Sequence, residues 1–92
     1  MALTRGAFRA YDDDRMVVLF TMMNDQTEVV CAVSTGAMDD LEKPFKASAT
    51  QREAQFLRLR DRIESRAAEK FLELGSRGAR SELVLRSNDF WA

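Results

Sequence analysis

The residues of this chain most suggestive of chemistry are three adjacent carboxylates, Asp12, Asp13 and Asp14, within Arg9-Ala10-Tyr11-Asp12-Asp13-Asp14-Arg15. Carboxylate oxygens are the ligands that Mg²⁺ and Ca²⁺ take. Consecutive carboxylates diverge along an extended chain, however, and the spacing and glycine of a calcium-binding loop are absent. A second acidic group, Asp39, Asp40 and Glu42, stands far along the chain, as does Asp89. A carboxylate enzyme or cation site therefore requires Asp12, Asp13 or Asp14 to approach Asp39, Asp40 or Asp89. The favoured reading is a solvated turn entering a strand, with Asp13 and Asp14 expendable and Tyr11 packed beside the sheet. No catalytic, cofactor or metal residue is assigned.

The chain has no histidine and one cysteine, Cys31. That removes Ser-His and Cys-His nucleophile pairs and every histidine-containing zinc site. Cys31 lies among Val29, Val30, Ala32 and Val33 with no cation nearby to stabilise a thiolate, so it reads as a core residue. One cysteine forms no internal disulfide, which makes a reducing cytoplasm the simplest compartment. The N-terminus lacks a signal-peptide pattern. The longest apolar run, Met16 to Phe20, is far below the ~20 residues of a membrane span.

A different chemistry is suggested by Arg58, Arg62, Arg66 and Lys70, which follow at four-residue spacing and align as a basic ridge on a helix. Such a ridge can hold phosphates. Asp61, Glu64, Glu69 and Glu73 are interleaved with it, and no aromatic stands among them for base stacking. Nucleic acid is accordingly the alternative to a solvated face or a protein contact. Beside the ridge, Ala54, Leu57, Ala68 and Leu72 form a second apolar strip interrupted by Asp61. It suits packing against a short helix or a homodimer contact, for which Leu57, Leu72 and Trp91 are the candidates.

The elements that carry these residues follow from periodicity. Met16 to Met23 is β-branched and apolar, and reads as a strand. Asn24-Asp25-Gln26 supplies turn residues able to adopt left-handed geometry. Glu28 to Val33 returns, with Val29, Cys31 and Val33 on one face. Ser34 or Thr35 caps a short helix through Leu41 or Glu42 that Pro44 ends. Thr50-Gln51-Arg52-Glu53 has the form of a capping box. Beyond it Phe56, Leu59, Ile63, Ala67, Phe71 and Leu74 fall within an arc of ~120°, so a long helix spans about 51–74 and Gly75 caps it. Glu82 to Ser87 alternates charged and apolar residues, as a half-exposed antiparallel strand does.

The composition fits one soluble globular domain over residues 1–92. Hydrophobic residues make up 46% and charged residues 32% of the chain, which argues against disorder. Residues 1–10 are expected to form an extended or poorly ordered arm. Net charge is −1, giving no global field for nucleic acid or membrane. Residues 1–44 hold four basic and eight acidic groups, and residues 45–92 hold ten and seven.

Several short stretches resemble the small bacterial family known as domain of unknown function 1488. They are Tyr11-Asp12 before Val18-x-Phe20, then Cys31-x-Val33-Ser34, Ala37 and Leu41. Phe56, Arg60-Asp61-Arg62-Ile63-Glu64 and Ala67 follow on the helix, and Gly75 and Ser87-x-Asp89-Phe90 close the series. The resemblance runs from Tyr11 to Phe90 and implies a compact α+β fold of cytoplasmic type, with no activity to transfer. Together these readings predict a small two-layer α+β domain: a three-stranded antiparallel sheet in the order β-β-α-α-β, with one long and one short helix on one face. They point to a non-enzymatic binding or oligomerisation module without cofactor, acting on an unknown protein partner or on itself.

Overall fold

A computed structural model describes residues 3–43, 47–74 and 82–90. In chain order the elements are β1 (Thr4–Asp12), β2 (Val17–Asn24), β3 (Thr27–Ser34), α1 (Thr35–Leu41), α2 (Arg52–Leu74) and β4 (Leu83–Leu85). Short 3-10 turns at Ala49–Gln51 and Ser87–Asp89 introduce α2 and follow β4. The sheet is mixed and four-stranded, in the order β1-β2-β3-β4.

Two features correct the three-stranded antiparallel expectation. The first is β1, which occupies residues assigned to an arm and pairs antiparallel with β2 from Thr4 opposite Met23 to Asp12 opposite Val17. The second is β4, which runs parallel to β3, with Cys31 opposite Leu83 and Val33 opposite Leu85. A parallel return needs a long crossover, and the segment containing α1 and α2 supplies it. Leu83 and Leu85 are both buried while Val84 between them is partly exposed, so the half-exposed alternation expected of this strand holds and only its direction differs.

The β2–β3 hairpin forms as its residues dictate. Asp25 takes a left-handed φ of 57°, turning the chain in two residues between Asn24 and Thr27. Val18, Phe20 and Met22 join Val29, Cys31 and Val33 on the core face. Against that face α2 lays Phe56, Leu59, Ile63, Ala67 and Phe71. The rings of Phe20 and Phe56 meet at 5.0 Å between centroids, within the range for favourable aromatic pairs. Ser34 caps α1 by accepting a hydrogen bond from the Ala37 amide at 3.1 Å. Met38 of α1 is fully buried beneath the same core.

The capping box sits earlier than Thr50–Glu53. Ser48 and Gln51 form it, with the Ser48 amide donating to Gln51 Oε1 at 2.9 Å. A 3-10 turn thus precedes the helix proper. Pro44, Gly75 and Trp91, expected as a stop, a cap and a contact, lie outside the described residues.

Among the described residues no helix covers the second face of the sheet, yet Val17, Thr21 and Ala32 are at most 3% exposed there. Two ion pairs span it. Arg9 of β1 reaches Glu28 of β3 across β2 at 3.7 Å, and Arg15, leading into β2, pairs with Glu82, leading into β4, across β3. Long arginine stems can shield apolar surface while keeping their charge in water.

Candidate functional site

The basic ridge of α2 is mostly engaged within the chain. Arg58 donates two hydrogen bonds of 3.0 Å to the carboxylate of Glu42 just beyond α1. These bonds hold the Glu42 carboxyl below its ordinary range, outweighing the opposing effect of burial. Arg66 donates to the Asp89 carbonyl oxygen and to both carboxylate oxygens of Glu73 at 3.2 and 3.3 Å. Lys70 donates to the Val84 carbonyl at 2.7 Å and to Asp89 Oδ2 at 3.1 Å. The same Asp89 oxygen accepts from the Arg86 amide at 2.8 Å. Arg66 and Lys70 therefore clasp β4 and its following turn onto α2. Arg62 is exposed and has no ion-pair or hydrogen-bond partner among the described residues.

A second polar cluster fastens β1 to α2. The strand carries register shifts between Arg5 and Phe8 and between Phe8 and Ala10. In the first of these, Thr21 Oγ1 accepts from the Ala7 amide at 3.0 Å, and the Gly6 carbonyl accepts from Arg60 at 3.0 Å. Arg60 and Arg5 each also hold the Glu64 carboxylate at 2.7 Å, while Arg5 reaches Asp61 at 2.7 Å. Glu64 is only 8% exposed, and the two guanidinium groups compensate its burial. Beside this cluster lies an open groove of about 310 Å³, lined by Leu3, Arg5, Met22, Asp61, Glu64, Ser65 and Ala68.

The third cluster had no clear signal in the sequence. Arg52 and Gln55, 6% and 0% exposed, bind Asp39 at 2.8 and 3.0 Å. Burial opposes ionisation of Asp39, but the bonds from Arg52 and Gln55 prevail and lower its pKa. Their spacing of three on α2 places both over α1. The Arg52 Nε is buried without a hydrogen-bond partner.

The acidic groups do not meet. Asp12 accepts from the Arg15 amide at 3.2 Å in the β1–β2 turn, Asp39 is held by Arg52, and Asp89 by Lys70. Among the described residues no group of three or more His, Cys, Asp or Glu side chains is placed to hold a metal ion. Tyr11 packs against the core edge, with its hydroxyl 3.5 Å from Met16 Sδ. Cys31 is fully buried, and burial pushes its thiol up to about 12. A thiol so placed stays protonated at neutral pH.

What α2 leaves uncovered is its outward face. Leu57 is 47% and Leu72 59% exposed, instead of packing on α1. At 100° per residue they share a strip with Ala54, Asp61, Ser65 and Ala68. Of this strip, Asp61, Ser65 and Ala68 also line the groove.

Among the described residues no helix is long and apolar enough to cross a membrane. No curated protein matches the chain. A solved structure that it resembles is the crystal structure of a protein of unknown function from the DUF1488 family of Shewanella loihica PV-4. The TM-score is 0.65 at 18% identity, over 89% of this chain and 92% of that one. That likeness shows a shared fold. The family model "Protein of unknown function (DUF1488)" matches residues 5–81, from Arg5 in β1 past the end of α2, and the chain belongs to that family.

Proposed function

We propose that the protein is a non-enzymatic association module whose contact surface is the outward face of α2. The observation that carries this reading is the contrast in partners along that helix. Arg58, Arg66 and Lys70 are bonded to groups of their own chain, while Leu57 and Leu72 remain roughly half exposed. Exposed leucines on one strip provide the apolar centre that a protein contact needs, and flanking charges give it orientation. The internal use of the ridge also leaves nucleic acid without the row of free cations it requires.

Photo-cross-linking in cells tests this. A photoreactive phenylalanine analogue replaces Leu57 or Leu72, and another replaces Arg9 on the sheet. Discrete protein adducts at positions 57 and 72, and none at position 9, are expected. Adducts at position 9 alone, or none at either leucine, would overturn the reading.

A further inference from the structure

We infer that the partner of the α2 face is a second copy of this chain, packed with its α2 antiparallel across a two-fold axis near Ser65 and Arg66. This rests on the reading of that face as the contact surface, and adds who binds there and how. Within Arg60-Asp61-Arg62-Ile63-Glu64, one side chain is left without an internal role among the described residues. Arg60, Asp61 and Glu64 are bonded to β1 or to one another, and Ile63 is in the core. Arg62 has no partner among the described residues.

At 100° per residue, Arg62 lies on one flank of the Leu57–Leu72 strip together with Arg58, Glu69 and Glu73. When two helices pack antiparallel, like flanks face each other. Arg62 and Glu69 are centred on the point between Ser65 and Arg66, and so are Arg58 and Glu73. A two-fold axis through that point sets Arg62 against the partner's Glu69, twice, because the contact is isologous. The Arg58–Glu73 pairs flank them and extend the existing bonds of those residues to Glu42 and Arg66. Opposite charges thus meet along the whole flank, and the self-complementary arrangement needs no other partner.

The apolar strip fits the same axis. Leu72 falls within about two residues of the facing Leu57, so the two exposed leucines cover each other. The crossing point carries Ser65, a small residue beside the groove, which lets the backbones approach. Asp61 enters already paired with Arg5 at 2.7 Å, so its burial leaves no lone charge. The second sheet face is the competing surface, but two ion pairs already span it.

The test is charge exchange read by sedimentation equilibrium. Wild type is expected to dimerise reversibly. Arg62→Glu and Glu69→Arg should each weaken the dimer about tenfold, since each opposes like charges at two related places. The Arg62→Glu/Glu69→Arg double variant should regain the wild-type constant to within about threefold. Both positions are exposed, and unchanged circular-dichroism melts of dilute monomer confirm intact folding. A wild type that stays monomeric at high concentration overturns the inference, as does a dimer that ignores both single changes or that the double change fails to restore. Heterologous adducts at Leu57 with a monomeric wild type would reject this inference and retain the association reading; absent adducts would reject both.

Discussion

Two kinds of side chain leave the surface of α2, and they meet opposite fates. The long cations Arg58, Arg60, Arg66 and Lys70 turn back into the chain, onto Glu42, Gly6, Asp89 and Val84. The apolar Leu57 and Leu72 point outward, 47% and 59% exposed. Read on the sequence, both are candidates for contact, the cations with phosphate or protein and the leucines with a short helix or a second copy. In the folded chain they part: the cations fasten β1, α1 and β4 to the helix, and the leucines stay about half exposed.

That contrast can be broken at several points. The largest effect is expected inside, where Phe56 joins the helix to the sheet through Phe20 and Phe8. Phe56→Ala should cost about 3–5 kcal/mol in urea unfolding, by lost burial and the cavity left behind. Next comes the bulge that lets β1 reach Arg60. A Cβ on Gly6 would stand 2.3 Å from the Thr21 carbonyl oxygen, so Gly6→Ala should cost up to about 3 kcal/mol by the same measurement. Asp89→Ala removes the carboxylate from the Lys70 clasp and should cost about 2 kcal/mol. Near the bottom, Asp13→Ala and Asp14→Ala should change stability by less than about 0.5 kcal/mol, because both sit exposed in the turn. A larger loss would return the acidic run to consideration as a site.

The ion pairs also set a pH dependence. Glu42 is held below its ordinary pKa chiefly by Arg58, and Glu82 chiefly by Arg15. A carboxylate with a depressed folded-state pKa contributes stability above its unfolded value of 4.5 and loses it as pH falls through the folded value. Stability should therefore decline as pH drops below about 4.5, and Arg58→Ala should flatten that decline. Melting temperatures measured from pH 6 down to pH 3 check both statements.

Much of the fold was legible because its signals are local. The β2–β3 hairpin, the Ser34 cap and the inward stripe from Phe56 to Phe71 are set by alternation, capping chemistry and helical period. The edge strand was hidden for a physical reason. Its two bulges put Phe8 and Tyr11 on the core side three residues apart, which destroys the period of two by which a strand is recognised. The direction of β4 was equally hidden, since Leu83-Val84-Leu85 alternates alike in either sense, and only the crossover through both helices makes it parallel. At the candidate site the sequence located the ridge and the exposed leucines. It could not show that Asp89 and Glu42 return to meet the ridge, because those contacts join residues distant along the chain.

The most direct test of the central claim is disulfide trapping at the proposed axis. Cys31 is buried with its thiol pushed up to about 12, so it does not compete with an introduced thiol. In the antiparallel dimer the two copies of Ser65 face each other at the crossing, whereas the two copies of Ala54 stand roughly 35 Å apart along the helices. Under mild oxidation of the native protein, Ser65→Cys should yield a covalent dimer rapidly and Ala54→Cys should not. Trapping at position 54 in place of position 65, or at neither, would contradict the account.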